Sequence, residues 1–444
     1  MQQVLGKGNM PKERRHESDM MEIIADLHVH SRYAMACSSN ITIKGMEATA
    51  LEKGIRVLSA ADFTHPLWLK EISDTLEEDG ETGMYKVKGS AFNIRFILGT
   101  ELSTVYTGDD NKIKKIHHCV LMSSIGRVKV LNDMLGKYGN LGSDGRPTLS
   151  VSAPELVDLV KAADPNSFIF PAHAWTPWFG VFGSMSGFDS LKDAYKDREK
   201  DIHAIETGLS SDPKMNWRIS ALDKYTLISN SDFHSLPKMG REANVFDIKS
   251  KTLSYGGIIE AIREKSQSTF KKTIEFYPEE GKYHYDGHRN CHFSIDPSKE
   301  TSQVCPVCGK KLVIGVMHRI NDLADRPEDY IPKGAIPYSH LIPLIEVISY
   351  VIGKSTYSRE AVAVRSKIVE AFGTEFNALM DADYDAIKSV SGNEEIAQAI
   401  QNMRGEKVTL DPGYDGIYGK IDLLNRVKPS KPKPRQKGIS QFLQ

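Results

Sequence analysis

Between residues 23 and 270 the chain repeats one pattern: a short apolar run, then a histidine or an acid. The apolar runs 23–27, 56–60, 94–98, 118–122, 167–170, 203–205 and 226–229 predict strands. Helical patterns lie between several of them. One covers 46–53 and stops at Gly54; another covers 153–163, with Ser152 and Glu155 at capping-box spacing. Such alternation predicts an α/β fold built on a mostly parallel sheet, either open or closed into a barrel.

The polar groups sit where such a sheet would expose them. Asp26, His28 and His30 lie in DLHVHS, and the two histidines, two apart, face one side of an extended chain. Asp62 and His65 lie in AADFTHP, Glu101 in ILGTELS, and His117 and His118 in KIHHCVLM. His173 follows in FIFPAHAW, Glu206 in HAIETG, and Asp232 and His234 in LISNSDFHS. The C-terminal ends of parallel strands converge on one face, where active sites are built. A single strand-end histidine is most often an ordinary surface or hydrogen-bonded residue. The ordered set is different, because burying so many ionisable groups without compensation is costly. Imidazoles with carboxylates suit Zn, Mn, Fe or Mg, and these ligands are too many for one ion, so two or three divalent ions are expected.

A second constellation follows. His288, Cys291, Cys305 and Cys308 read H-x-x-C, thirteen residues, then C-x-x-C, which closes one tetrahedral structural zinc site; His292 is an alternative to His288. Five cysteines without framework spacing exclude a disulfide-stapled fold. With 40% hydrophobic and 26% charged residues the chain is an ordinary folded one. The longest apolar stretch, 341–352, contains Pro343 and Glu346 and is too short to span a bilayer. Residues 1–21 have no apolar signal-peptide core. The expectation is an intracellular, cytoplasmic protein with no membrane partner.

Five segments are expected: a polar leader over 1–21, a barrel over 22–270, a zinc-ribbon module over 271–316, a helical domain over 317–425 and a basic tether over 426–444. The helical patterns are 341–352, 359–372, 375–380 and 394–403. The last segment holds six Lys and Arg and no acid, so the body of the chain is mildly acidic. That is not the profile of a charge-driven nucleic-acid coat, but it suits an acidic pocket whose ions reverse the local field.

DLHVHS, TELS, AHAW and SDFH occur in the order of the motifs of PHP-domain metal hydrolases, and over residues 23–270 the chain resembles that family. The resemblance implies a distorted (β/α)7 barrel with a trinuclear metal site. His28, His30, Glu101, His173, Asp232 and His234 then carry over as ligands. His117 or His118 fills a further place, the following apolar spacing slightly favouring His117, and either Asp62 or His65 another. A finer resemblance, carried by ADFTHPLWL, AHAWTPWFGVFGSMSGFDS, ETGLSSDPKMNWRIS and GREANVF, is to the endonuclease Q family, DNA-repair enzymes that nick 5′ to deaminated bases and related lesions. It implies DNA with deaminated or abasic lesions as partner and a nucleoid-associated site of action. Asp232, His234, Glu101, Glu206 and Asp26 become the expected catalytic groups, the last two either to support the metal ligands from behind or to handle protons. Trp175, Trp178, Phe179, Phe182, Trp217 and Arg218 become candidates to hold the lesion by stacking, although aromatics are more often core than platform. Finally, Gln436, Ile439, Phe442 and Leu443 in QKGISQFLQ resemble the PIP box that binds a PCNA-type sliding clamp. A small-molecule phosphoesterase would need neither the zinc module nor the clamp peptide. A non-catalytic adaptor would not need so full a ligand set.

Overall fold

The structure is a computed structural model that describes residues 20–249, 253–300 and 302–426. The clamp-like peptide at Gln436, Ile439, Phe442 and Leu443 lies outside the described residues, as do residues 1–19. In chain order the strands are β1 (Met20–Asp26), β2 (Val57–Ser59), β3 (Leu76–Glu78), β4 (Tyr85–Val87), β5 (Arg95–Thr107) and β6 (Ile113–Met122). They continue with β7 (Thr148–Leu149), β8 (Phe168–Pro171), β9 (Ala204–Glu206), β10 (Thr226–Ile228), β11 (Ala243–Lys249) and β12 (Phe270–Glu275).

Seven of these, each overlapping an apolar run of the sequence, form a distorted ring. β1 pairs with β2, β2 with β5, β5 with β6, β6 with β8, and β9 with β10. Backbone hydrogen bonds just past the strand ends close the rest. The Ala174 amide donates to the Glu206 carbonyl (3.0 Å) and the Asp232 amide to that of His28 (2.9 Å). The ring is thus tied together at the level of the motif residues. The intervening helices cover its outside. Ala153–Ala163 starts on the expected capping box, with Ser152 and Glu155 bonding reciprocally.

The expectation of a mostly parallel sheet needs correction at β6. It runs antiparallel to both neighbours. The connection from β5 is a tight turn over 108–112, with the Gly108 amide donating to the Lys112 carbonyl (2.8 Å). So short a link reverses the chain and leaves no room for a crossover helix. The site residues of β5 and β6 therefore sit within these strands, not beyond their ends.

The main sheet also passes the expected barrel boundary at 270. β11 runs antiparallel to β1, β12 antiparallel to β11, and Tyr338–His340 parallel to β12. The cysteine module is therefore an insertion between two neighbouring strands of one sheet. It consists of a hairpin, Asp286–His288 with Phe293–Ile295, and the knuckle after it. Its own apolar cluster of buried residues is Ile295, Cys305 and Leu312, too little to hold a fold. The ligand atoms of His288, Cys291, Cys305 and Cys308 all lie within 4.8 Å of one another, which fits a zinc-ribbon site. His292, in a left-handed conformation (φ 47°), is not in that group. Burial raises the Cys305 thiol pKa, but amides of Val307 and Cys308 aimed at the sulfur bring it down to about 6, which favours the thiolate a metal needs.

Beyond it, helices Leu344–Ile352, Arg359–Phe372, Glu375–Met380, Tyr384–Ser391 and Glu394–Arg404 pack into a helical unit. Glu375 ties this unit to the barrel. It is buried and pairs with Lys53 (3.0 Å) and Arg365 (2.9 Å). No helix among the described residues is long and apolar enough to cross a membrane.

Because three buried residues cannot hold the cysteine module, its order should depend on the metal. A strong chelator, or Cys308→Ser, is expected to abolish hydrogen-exchange protection across 286–314 while β1, β2 and β5 stay protected. Retained protection in the chelated protein would exclude a structural metal there.

Candidate active site

Glu101 is the centre of the site. Its Oε1 lies 2.8 Å from His117 Nδ1 and 2.9 Å from His173 Nε2. Its Oε2 lies 3.1 Å from His30 Nε2 and 3.5 Å from His28 Nε2. Asp232 Oδ1 approaches the same nitrogens of His30 (3.0 Å) and His28 (3.8 Å). Six expected residues thus converge: His28, His30, Glu101, His117, His173 and Asp232. They form two overlapping groups of potential ligands that share Glu101.

The strand register decides between His117 and His118. Ser103 pairs with His117, Leu102 with His118 and Glu101 with Cys119. Residues directly opposite share a face, and faces alternate along the strand. His117 and Cys119 therefore join Glu101 inside, and His118 points the other way. Its two ring nitrogens are engaged by Thr104 (3.0 Å) and Tyr195 (2.9 Å), so His118 is corrected from ligand to packing residue.

Several other expected residues back the cluster. Glu206 binds His28 Nδ1 (3.0 Å) and accepts from the His173 amide (2.7 Å) and Asn230 (2.8 Å). Asp62 binds His30 Nδ1 (3.1 Å) and accepts from the Ser31 amide (2.6 Å). Each of these histidines is thus held from behind by a carboxylate, which turns its Nε2 inward. With both oxygens so committed, Asp62 is a support for His30. Asp26 lies further out; it accepts from the amides of Ser231 and Gly240 (3.0 Å each), fixes the loop that carries Asp232, and does not reach the reacting groups. His65 stacks on Tyr33 (4.3 Å) and is outside the converging set. His234 stands at the rim, its ring 4.8 Å from that of His30, and its Nδ1 is spent on the Asp232 carbonyl.

The electrostatics of the cleft favour a bound cation. Burial opposes a charge on His28, but Cys119, Glu206 and Glu101 outweigh it and raise its pKa well above the ordinary value. His30 behaves alike: burial is overcome by Asp62, Asp232 and Glu101. Burial likewise opposes ionisation of Glu101, yet His117, Arg146 and His28 hold it well below the usual carboxylate range. His117 is pushed down to about 4, chiefly by burial, and offers a neutral lone pair. The buried Nε2 atoms of His28 and His30 and Oδ1 of Asp232 have no hydrogen-bond partner, although they face one another. Orphaned buried donors and acceptors of this kind need an explanation, and the donor set fits divalent metal ions. Asp62, His173 and Asp232 have φ values of 28°, 29° and 45°, the strained left-handed backbone that collects at functional sites.

Known proteins resemble this chain over most of its length. Residues 343–407 match the family model of the MJ0043 C-terminal domain. Over 285 residues the chain is 33% identical to the uncharacterized protein MJ0043 of Methanocaldococcus jannaschii, covering 61% of this chain but only 34% of that longer protein. The crystal structure of the lesion-specific endonuclease PfuEndoQ from Pyrococcus furiosus superposes with a TM-score of 0.79 at 31% identity, over 92% of this chain and 98% of that one. A structure of endonuclease Q with a 27-mer duplex substrate, an abasic lesion at its active site, matches equally well, at TM-score 0.79 and 31% identity, over 91% and 98% of the two chains. The chain belongs to the endonuclease Q family. Endonuclease Q enzymes are metal-dependent DNA endonucleases, and in this member the residues around Glu101 form groups that could hold a metal ion.

In this member of the family the aromatic loop divides into two parts. Trp175 and Phe182 are corrected from stacking candidates to core. Both are buried, their rings pack 4.7 Å apart, and the Trp175 indole donates to Asn216 (2.8 Å). Trp217 packs against Tyr338, and Arg218 is tied to Asn321 (2.8 Å), so both serve the junction with the later segments. Trp178 is exposed, and Phe179 stacks on His117 (4.3 Å) at the wall of the cleft. The loop is tight enough that a Cβ on Gly183 would meet the Thr176 carbonyl at 2.3 Å.

Two site residues were not expected from the sequence. Cys119 joins His28 and Glu206 in a third potential ligand group; strand alternation from His117 in HHC would have indicated it. Arg146 donates to Glu101 Oε2 (3.1 Å) from a loop that carries no motif.

The raised pKa values of His28 and His30 give a testable consequence. The upward shifts favour protonated imidazoles in the metal-free protein, and ligation must expel those protons. Titration calorimetry in buffers of different ionisation enthalpy should find net proton release on metal loading near pH 7. Release should vanish only above the raised values, and metal affinity should fall as pH is lowered. A pH-independent affinity over pH 6–8 would contradict this electrostatic picture. Trp175→Ala is expected to cost about 3–5 kcal/mol in a denaturant titration, and Trp178→Ala less than about 0.5 kcal/mol.

Proposed function

We propose that this chain is an endodeoxyribonuclease of DNA repair that hydrolyses the phosphodiester 5′ to a deaminated base (uracil, hypoxanthine or xanthine) or an abasic site. The observation that carries the proposal is the convergence of Glu101, Asp232 and four imidazoles in one cleft whose wall is aromatic. Two or three divalent ions, of Zn, Mn or Mg, would be held by His28, His30, Glu101, His117, His173 and Asp232. When bound, such ions acidify water to make a nucleophile at neutral pH and neutralise charge on the phosphate.

The chain supplies the rest. Glu206 and Asp62 fix the tautomers of His28 and His30. No Ser or Cys nucleophile is required. Trp178, exposed, edge-on to Tyr283 (5.2 Å) and next in sequence to Phe179, would offer a face for an unpaired base, and Phe179 limits the cleft on the His117 side. The zinc module and the helical unit are proposed to grip the duplex, where phosphate contacts give affinity without sequence choice. The pattern at Gln436, Ile439, Phe442 and Leu443 supports recruitment by a PCNA-type sliding clamp, with the basic segment before it as tether.

Purified protein with Mn²⁺ is expected to nick a duplex carrying one uracil, hypoxanthine, xanthine or abasic site, and to leave the undamaged duplex intact. Asp232→Ala should abolish nicking, and Glu206→Gln should reduce it about 10–100-fold with the lesion preference retained. Trp178→Ala should weaken lesion binding by about 1–3 kcal/mol. Turnover of p-nitrophenyl phosphate alone would make the chain a small-molecule phosphoesterase, and neither activity would make it an adaptor.

A further inference from the structure

Arg146 is, among the described residues, the one Lys or Arg ion-paired with a carboxylate of the converging cluster. Its side chain is 22% exposed, so it reaches from the mouth of the cleft inward to Glu101. Its position is fixed by backbone. The Arg146 amide donates to Asp144 (2.8 Å), the Gly145 amide to the Tyr33 carbonyl (3.0 Å), and the Ser103 amide to the Pro147 carbonyl (3.0 Å). β7 then pairs directly with β5 at Ser103 and Thr104. A Cβ on Gly145 would meet Asp62 Oδ2 at 2.5 Å, so this loop lies against the acid that supports His30.

The bond to Glu101 is one of several that Glu101 makes. Both its oxygens are already claimed by imidazoles, at 2.8, 2.9, 3.1 and 3.5 Å. It is also the one hydrogen bond found for the Arg146 side chain among the described residues, and it uses a single nitrogen of a five-donor group. Under the reading proposed above, on which this inference rests, ions hold Glu101 and a phosphodiester enters from the mouth. The guanidinium would then stand between a carboxylate that no longer needs it and a phosphate whose two free oxygens match its planar fork.

The geometry points to Arg146 as the residue that grips the phosphate of the bound strand at the mouth of the cleft, releasing Glu101 to do so. It is thus a substrate-binding residue for which lysine is a poor substitute, because lysine keeps the charge but loses the two-pronged geometry.

The test uses the full chain with Ca²⁺ for binding and Mn²⁺ for cleavage, and a fluorescent duplex with one abasic site. Wild type, Arg146→Ala, Arg146→Gln and Arg146→Lys are compared by anisotropy over a salt series, by single-turnover nicking, by metal content and by melting temperature. Removing the charge should raise Kd about tenfold. It should also flatten the slope of log Kd against log salt by about 0.9, the loss of one phosphate contact. Metal content and melting temperature should stay unchanged. Arg146→Lys should restore the salt slope but recover less than half of the cleavage rate. An unchanged slope in Arg146→Ala, with altered metal content or melting temperature, would make Arg146 only a counter-ion of Glu101 and overturn the inference. If wild type binds the duplex but cuts no lesion, the proposed function fails, while the salt slopes still decide the role of Arg146. Wild-type binding without salt dependence would overturn the inference outright.

Discussion

Four imidazoles gathered around the carboxylate of Glu101 are what the remaining structure is arranged to sustain. A buried carboxylate alone would take up a proton, and buried imidazoles alone would lose theirs. Brought together, Glu101, His28 and His30 offset one another's desolvation and favour the charged forms, while His117 stays neutral. That balance is demanding in geometry. It requires β1, β5, β6 and the ends of β8 and β10 to meet within a few ångström, which is why the ring is closed by backbone hydrogen bonds at the motif residues themselves. The left-handed backbones of Asp62, His173 and Asp232 are further consequences. Each costs of order 1–3 kcal/mol and persists because the surrounding pairing leaves no alternative.

The supporting residues show how the cluster is aimed as well as held. Glu206 touches His28, the His173 amide and Asn230, so one carboxylate joins three segments of the ring. Asp26 does the same for the loop bearing Asp232 by accepting two amides. These acids look catalytic in the sequence because they occupy the same motifs as the reacting groups. Glu206 differs in approaching the imidazole of His28 from behind, and Asp26 in binding only backbone amides.

That distinction marks the limit of what the sequence makes legible. The seven ring strands, the capping box at Ser152 and the paired knuckles of the cysteine module are local patterns, and all reappear in the structure. The six converging residues were likewise among those singled out by motif order. What one chain does not encode locally is strand direction and register. β6 reads as one more parallel strand until the turn at 108–112 reverses it, and only the pairing of Ser103 with His117 separates His117 from His118. Arg146 was invisible for a related reason: it arrives from a loop, and its partner lies 45 residues away. Trp175 and Trp178 have the same composition around them, and only the contact of the Trp175 indole with Asn216 shows which of them is core.

The division of the aromatic loop bears on how a damaged nucleotide can be recognised at little cost. Ordering a flexible loop around a ligand consumes binding energy, roughly 0.5–1.5 kcal/mol for each immobilised side chain. Here the ordering precedes any ligand. Trp175 and Phe182 anchor the loop in the core, its glycines let carbonyls approach to distances no side chain would allow, and Phe179 is pinned on His117. Trp178 is thus presented from a rigid base, edge-on to Tyr283 and adjacent in sequence to Phe179. Under the proposed function, an unstacked base would meet a surface already in place, and discrimination would rest on the energy of extruding the nucleotide. That energy is least where pairing is already weakened, which is the property that deaminated and abasic positions share.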